Sequence, residues 1–111
     1  MKISKQTRRM LKSRREFKKA VLERDGYKCL MCGKPGSYGT LDADHVAGRH
    51  SVIDDVRAAG ATICAWPQGL CHRQKTDGTI KWKASHLPEE TIAFIEWRKW
   101  PLWDQIIWDR Q

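Results

Sequence analysis

Met10, Leu11, Phe17, Val21 and Leu22 recur at spacings compatible with a helix, in a stretch from about Lys5 to Asp25 that contains neither proline nor glycine. That pattern predicts a helix whose other faces are basic, ended by Asp25-Gly26. After the turn-rich Gly36-Ser37-Tyr38-Gly39 comes Leu41-Asp42-Ala43-Asp44-His45-Val46, whose alternation predicts a short strand with Asp44 and His45 near its end. Ser51 to Gly60 reads as a short helix or an ordered loop, and Ala61 to Ala65 as a second short strand. From Leu70 the sequence suits one or two helical turns stopped by Gly78. A last helix is expected to begin near Pro88-Glu89-Glu90, where proline fits the first turn and the acids fit the positive end of the dipole. Ile92, Phe94, Ile95 and Trp97 give it an apolar side, Pro101 interrupts it, and Leu102 to Trp108 could form one more short helix.

With 111 residues and no repeat or Ser/Gly linker, the chain reads as one continuous unit. Hydrophobic residues make up 41% and charged residues 31%, enough for a modest core and too apolar for disorder throughout. Apolar runs such as Ile106 to Trp108 fall far short of the roughly 20 residues that cross a bilayer, so a soluble protein with no membrane partner is expected. The basic opening, Met1 to Arg9, lacks the features of a secretory signal, which points to an intracellular, cytoplasmic protein.

The net charge of +8 is unevenly placed: residues 1–28 hold eleven bases and three acids, and the remaining residues balance. Arg8, Arg9, Lys12, Arg14, Arg15, Lys18 and Lys19 form an amino-terminal stripe for which a nucleic-acid backbone is the natural partner. A solvated helix face, an acidic protein and an anionic membrane surface are the competing readings.

Four cysteines in an intracellular chain suggest metal ligands before disulfides. Cys29-Leu30-Met31-Cys32-Gly33 has the spacing of a zinc knuckle, and Cys64 with Cys71 would complete a tetrahedral structural Zn²⁺ site. The six residues between Cys64 and Cys71 depart from the usual two and must loop out if both bind; otherwise Cys64 is a buried core thiol. Asp42, Asp44, His45, His50 and His72 supply what a hydrolytic metal site requires: ligands for Mg²⁺, Mn²⁺ or Ni²⁺, and an imidazole left free to take a proton from water. Adjacent residues point to opposite faces of a regular strand, so Asp44 and His45 reach one site only if the strand bends there.

Three motifs in order carry a resemblance. The segment from Arg15 to Lys34, which includes the knuckle, resembles the opening of HNH endonucleases with a four-cysteine zinc site. Asp42-Ala43-Asp44-His45 is similar to that family's first motif, and Leu70-Cys71-His72-Arg73-Gln74-Lys75-Thr76 to its closing one. What the resemblance implies is an α+β chain built on a small ββα-metal (His-Me finger) domain with a structural zinc site. The basic helix (1–25), the zinc-supported core (26–78) and a helical extension (79–111) would make one domain. It further implies a small phage or bacterial enzyme that cleaves DNA phosphodiester bonds. By motif position Asp44 would be a metal-binding carboxylate, His45 the general base and His72 the metal ligand on the helix. Lys75, one turn after His72, would contact phosphate or stand solvated.

The sequence departs from the family pattern in containing no asparagine. The motif's middle residue would fall near Ala59 to Ile63, where nothing offers an amide; His50, or Gln68 from the insertion Ala65 to Leu70, would take its place. Metal-dependent nicking or double-strand cleavage is therefore the leading expectation. The alternative is a catalytically inactive, zinc-stabilised nucleic-acid-binding module; a domain that binds an acidic protein through the basic helix ranks third. Trp97, Trp100 and Trp103, with Ile106 to Trp108, are expected to pack the terminal helix onto the domain, to stack on unpaired bases, or to form a dimer seam.

Overall fold

The computed structural model describes residues 9–98 and 105–109 and shows a small α+β chain with a four-cysteine cluster. Helix α1 spans Arg14–Arg24, strands β1 and β2 span Leu41–His45 and Gly60–Cys64, helix α2 spans Cys71–Thr76 and helix α3 spans Glu89–Arg98. Short 3₁₀ turns at Val52–Asp54, Arg57–Ala59 and Ala84–His86 connect them. No helix among the described residues is long and apolar enough to cross a membrane.

The first helix starts later than its periodicity predicts. Ser13 accepts a hydrogen bond from the Glu16 amide (3.1 Å) and sets the start at Arg14. Before it the chain is held against residues 55–56: the Leu11 amide donates to the Asp55 carbonyl at 2.7 Å, and Met10 forms an antiparallel bridge with Val56. The far end stops as expected. Gly26 (φ +70°) takes the left-handed conformation, and the Tyr27 and Gly26 amides return to the Leu22 and Glu23 carbonyls.

Strands β1 and β2 pair antiparallel, from Leu41 opposite Cys64 to His45 opposite Gly60, without a bulge. All five β2 residues are buried. One side of the sheet receives Phe17 and Val21 of α1, packed so closely on Gly60 that a Cβ there would come within 2.6 Å of Phe17 and 2.7 Å of Val21. Trp82, Phe94, Leu22, Leu41, Ile63 and Ile95 form the centre of the core.

Helix α3 buries Thr91, Ile92, Phe94 and Ile95, whereas Trp97 is 41% exposed and lies tilted against Phe94. Trp100 and Trp103 lie outside the described residues. Ile107 forms a parallel bridge with Lys83, exchanging hydrogen bonds with Trp82 and Ala84, so the described end of the predicted last helix is extended. Ile106 is buried and Trp108 packs against the core, as a terminal segment folded onto the chain requires.

A network of charges joins the helices to the sheet. The Arg24 guanidinium grips Asp25 with two bonds (2.7 and 2.9 Å), Glu90 with one (3.1 Å) and the carbonyls of Arg57 and Gly60 with two more. Asp25 passes the grip to β2 by accepting from the Thr62 amide and hydroxyl at 2.9 and 2.8 Å. Asp54, fully buried, accepts from Arg98 of α3 and from the His50 and Ser51 amides.

Candidate functional site

Three chain segments bring the cysteines together. The knuckle turns under its own hydrogen bonds, with the Cys29 amide on the Lys34 carbonyl and the Gly33 amide on the Cys29 carbonyl (2.8 Å each), and Gly33 at φ +82°. The Leu30 amide fastens it to β2 through the Thr62 carbonyl. Cys64 ends β2 and Cys71 begins α2. The six-residue gap between them does loop out: the Gly69 amide closes a turn on the Ala65 carbonyl (2.9 Å), and Gly69 passes so close to Cys64 that a Cβ would lie 2.6 Å from the Cys64 Cβ.

All four sulfurs lie within 4.8 Å of one another. A tetrahedron with metal–sulfur bonds of about 2.3 Å has edges of about 3.8 Å, which matches the 3.8 Å from Cys32 Sγ to Cys64 Sγ. That spacing is far beyond a disulfide bond. Burial works against ionising Cys29, yet backbone hydrogen bonds from Cys32, Cys64 and Met31 leave its thiol below the ordinary pKa. Cys71 is pushed well above it, first by burial and then by neighbouring thiols. A soft divalent cation removes this conflict by binding all four sulfurs as thiolates and offsetting part of their charge. The cluster is placed to hold a structural metal ion such as zinc, and among the described residues it is the one set of three or more ligating groups that converges in this way.

A second cluster lies between β1 and α2. Asp42 and Asp44, two apart on the strand, share a face. His72 Nδ1 is 3.4 Å from Asp42 Oδ2 and its Nε2 is 3.9 Å from Asp44 Oδ1. Asp44, 8% exposed, is already well served: it accepts from the Trp82 indole at 2.8 Å and pairs with the Lys75 ammonium at 3.0 Å. Lys75, expected to contact phosphate or to stand solvated, thus meets a carboxylate of the chain, and it also reaches the His45 carbonyl at 3.2 Å. The carboxylate that the motif assigns to a metal is held by a cation of the chain itself.

His45 is on the opposite face. β1 stays paired through His45, so Asp44 and His45 leave the strand on opposite sides. The imidazole stacks on Phe17 with ring centres 4.3 Å apart and planes within 7°. Its Nε2 is buried without a well-formed hydrogen bond, although Asp55 Oδ1 lies 3.3 Å away. Burial holds this imidazole below its ordinary pKa against the pull of Asp55, so the neutral, proton-accepting form dominates at neutral pH.

This face opens into a groove of about 970 Å³ lined by Lys12, Arg14, Arg15, Lys18 and Arg49 around His45, with Phe17, Tyr38, Asp42 and Asp55. Arg9 and Lys19 do not line it, and Arg8 lies outside the described residues. Asp42 belongs to both places, lining the groove while facing His72.

The two residues expected to stand in for an asparagine make their described contacts elsewhere. The His50 ring bonds to the Ala47 carbonyl at 2.9 Å, and the Gln68 carbonyl accepts from Lys34 beside the cysteines. The polar group beside His45 is instead Asp55, gripped by Arg49 at 2.8 and 2.9 Å. No motif singles out either residue; Asp55 directly follows the 3₁₀ turn at Val52–Asp54, whose Asp54 is held by Arg98 of α3. Comparison of the chain with family models, with curated proteins and with solved structures found no match.

Proposed function

We propose that the chain is a zinc-stabilised, metal-dependent DNA endonuclease of the ββα-metal type, with His45 as the general base. The observation that carries this reading is the groove, where the half-buried His45 imidazole, backed by Asp55, is set among five basic side chains. The bases would hold a phosphodiester backbone across His45. His45 would take the proton of an attacking water on its other ring nitrogen, Nδ1, while Asp55, fixed by Arg49 and 3.3 Å from Nε2, would orient the ring and stabilise it once charged. Asp42, Asp44 and His72 are the right donor types for Mg²⁺, Mn²⁺ or Ni²⁺. Such an ion would stabilise charge developing on the phosphate oxygens.

One observation favours the second reading, a nucleic-acid-binding module without catalysis: the Lys75 ammonium pairs with Asp44, and an ion there would have to displace it. Incubation of supercoiled plasmid with purified protein and each of Mg²⁺, Mn²⁺ and Ni²⁺ separates the two. Nicked or linear product that His45→Ala abolishes supports the endonuclease. Salt-sensitive retention of plasmid without product under every metal supports the binding module.

A further inference from the structure

The insertion between Cys64 and Cys71 does more than bridge two metal ligands. It carries Trp66, 63% exposed and the most exposed large apolar side chain among the described residues. An indole left in solvent on a mobile loop would need no explanation, but this loop is tied down at several points. The Gly69 amide bonds to the Ala65 carbonyl, Lys34 donates to the Gln68 carbonyl, and Gly69 is wedged against Cys64. The Arg73 guanidinium lies over the indole ring, 5.3 Å from its centre. Arg73 directly follows His72 on α2, so one helical turn serves both the indole and the Asp42–His72 pair.

We infer that Trp66 is a stacking platform for an unpaired nucleobase of single-stranded nucleic acid. The chemistry selects that occupant. A rigidly held aromatic face asks for a flat, polarisable partner, and the cations of this loop, Arg73 over the ring and Lys34 on the Gln68 main-chain carbonyl, ask for negative charge near that partner. A nucleotide offers both in one unit, a base for the indole and a phosphate for the bases. In a duplex the base faces are already stacked, so this site favours single strands, frayed ends or flaps. The groove along α1 makes no such distinction. The inference rests on the nucleic-acid reading above but uses none of its catalytic residues.

Fluorescence anisotropy with labelled oligothymidylate, and separately with a duplex of equal length, tests it in the full-length zinc-loaded protein at fixed salt without added divalent ion. Trp66→Ala is expected to weaken oligothymidylate binding roughly 5- to 150-fold, the range for loss of one base–aromatic stack. Trp66→Phe is expected to restore most of the affinity, and duplex binding to change far less. The slope of affinity against salt should stay the same, because no charge is removed. Unchanged zinc content and melting confirm that the variants are folded. If folded Trp66→Ala binds oligothymidylate as tightly as the parent, the platform is refuted while the groove reading stands. If the parent binds neither probe at low salt, both readings fall.

Discussion

Replacing Gly69 with alanine would drive a methyl group into the metal centre. The new Cβ would lie 2.6 Å from the Cys64 Cβ and closer still to its sulfur, a distance that real carbon atoms do not adopt. Cys64 ends a buried strand, and the turn at Gly69 closes on Ala65, so neither side yields without disturbing the sulfur tetrahedron. Overpacking of this kind typically costs about 1–3 kcal/mol. Because relief comes from moving a ligand, the loss should appear as metal affinity, weaker by roughly 5- to 150-fold. At about 2.1 cal/mol/K of unfolding entropy per residue, the same energy corresponds, over the 111 residues, to a fall in Tm of about 4–13 °C. Gly39→Ala is the control, since a Cβ there meets only the Ser37 hydroxyl at 4.0 Å. Competition with a chromophoric chelator under reducing conditions reads the affinity, and circular dichroism the melting. If Gly69→Ala holds zinc as tightly as the Gly39→Ala control, the loop does not position Cys64 and Cys71 as described.

Three further outcomes are expected. Stripping zinc removes about 10–16 kcal/mol of apparent binding energy, comparable to the whole stability of a chain this size; metal-free protein that still melts cooperatively near the zinc-loaded Tm would contradict this. Asp54 and Glu90 are held below the ordinary carboxylate range: burial alone would raise both, but Arg98 for the first and Arg57 with Arg24 for the second prevail. Their stabilisation is therefore present above the unfolded pKa near 4 and lost as pH falls through the lower folded values, so Tm should drop in acid less steeply in Asp54→Ala, which starts about 3–5 kcal/mol less stable. In the groove, Arg15→Gln and Lys18→Gln should each lower the slope of log affinity for duplex DNA against log salt by about 0.9; an unchanged slope in the double variant would remove the groove from the interface.

The elements legible in the sequence were those with their own punctuation. Gly26 and Gly78 end helices where φ turns positive, and the alternation of 41–46 places β1 within one residue. The start of α1 was also written locally, in Ser13-Arg14-Arg15-Glu16, a capping pattern that the longer apolar periodicity obscures. The cysteine cluster was legible because ligand chemistry constrains spacing, even where the Gly69 turn stretches it. Partners of the candidate site were less so. Lys75 shares a helix face with His72, three positions away, but only packing decides that it reaches Asp44 and not solvent. Asp55 reaches His45 through a loop whose shape depends on α3, via Asp54 and Arg98, and no window of sequence contains that contact.

The internal pairing of charges bears on how a partner would arrive. Arg24, Arg57, Arg98 and Lys75 each face a carboxylate at 3.1 Å or less, so their fields largely cancel at a distance. Lys12, Arg14 and Arg15, exposed at the start of α1, have no such ion pair among the described residues. The described part of the chain thus gathers unpaired positive charge at the groove mouth. A polyanion of the kind proposed above would meet that charge first and would tend to approach groove-on before surfaces touch. Added salt would then act chiefly on the rate of encounter, leaving the lifetime of the complex to the contacts inside the groove.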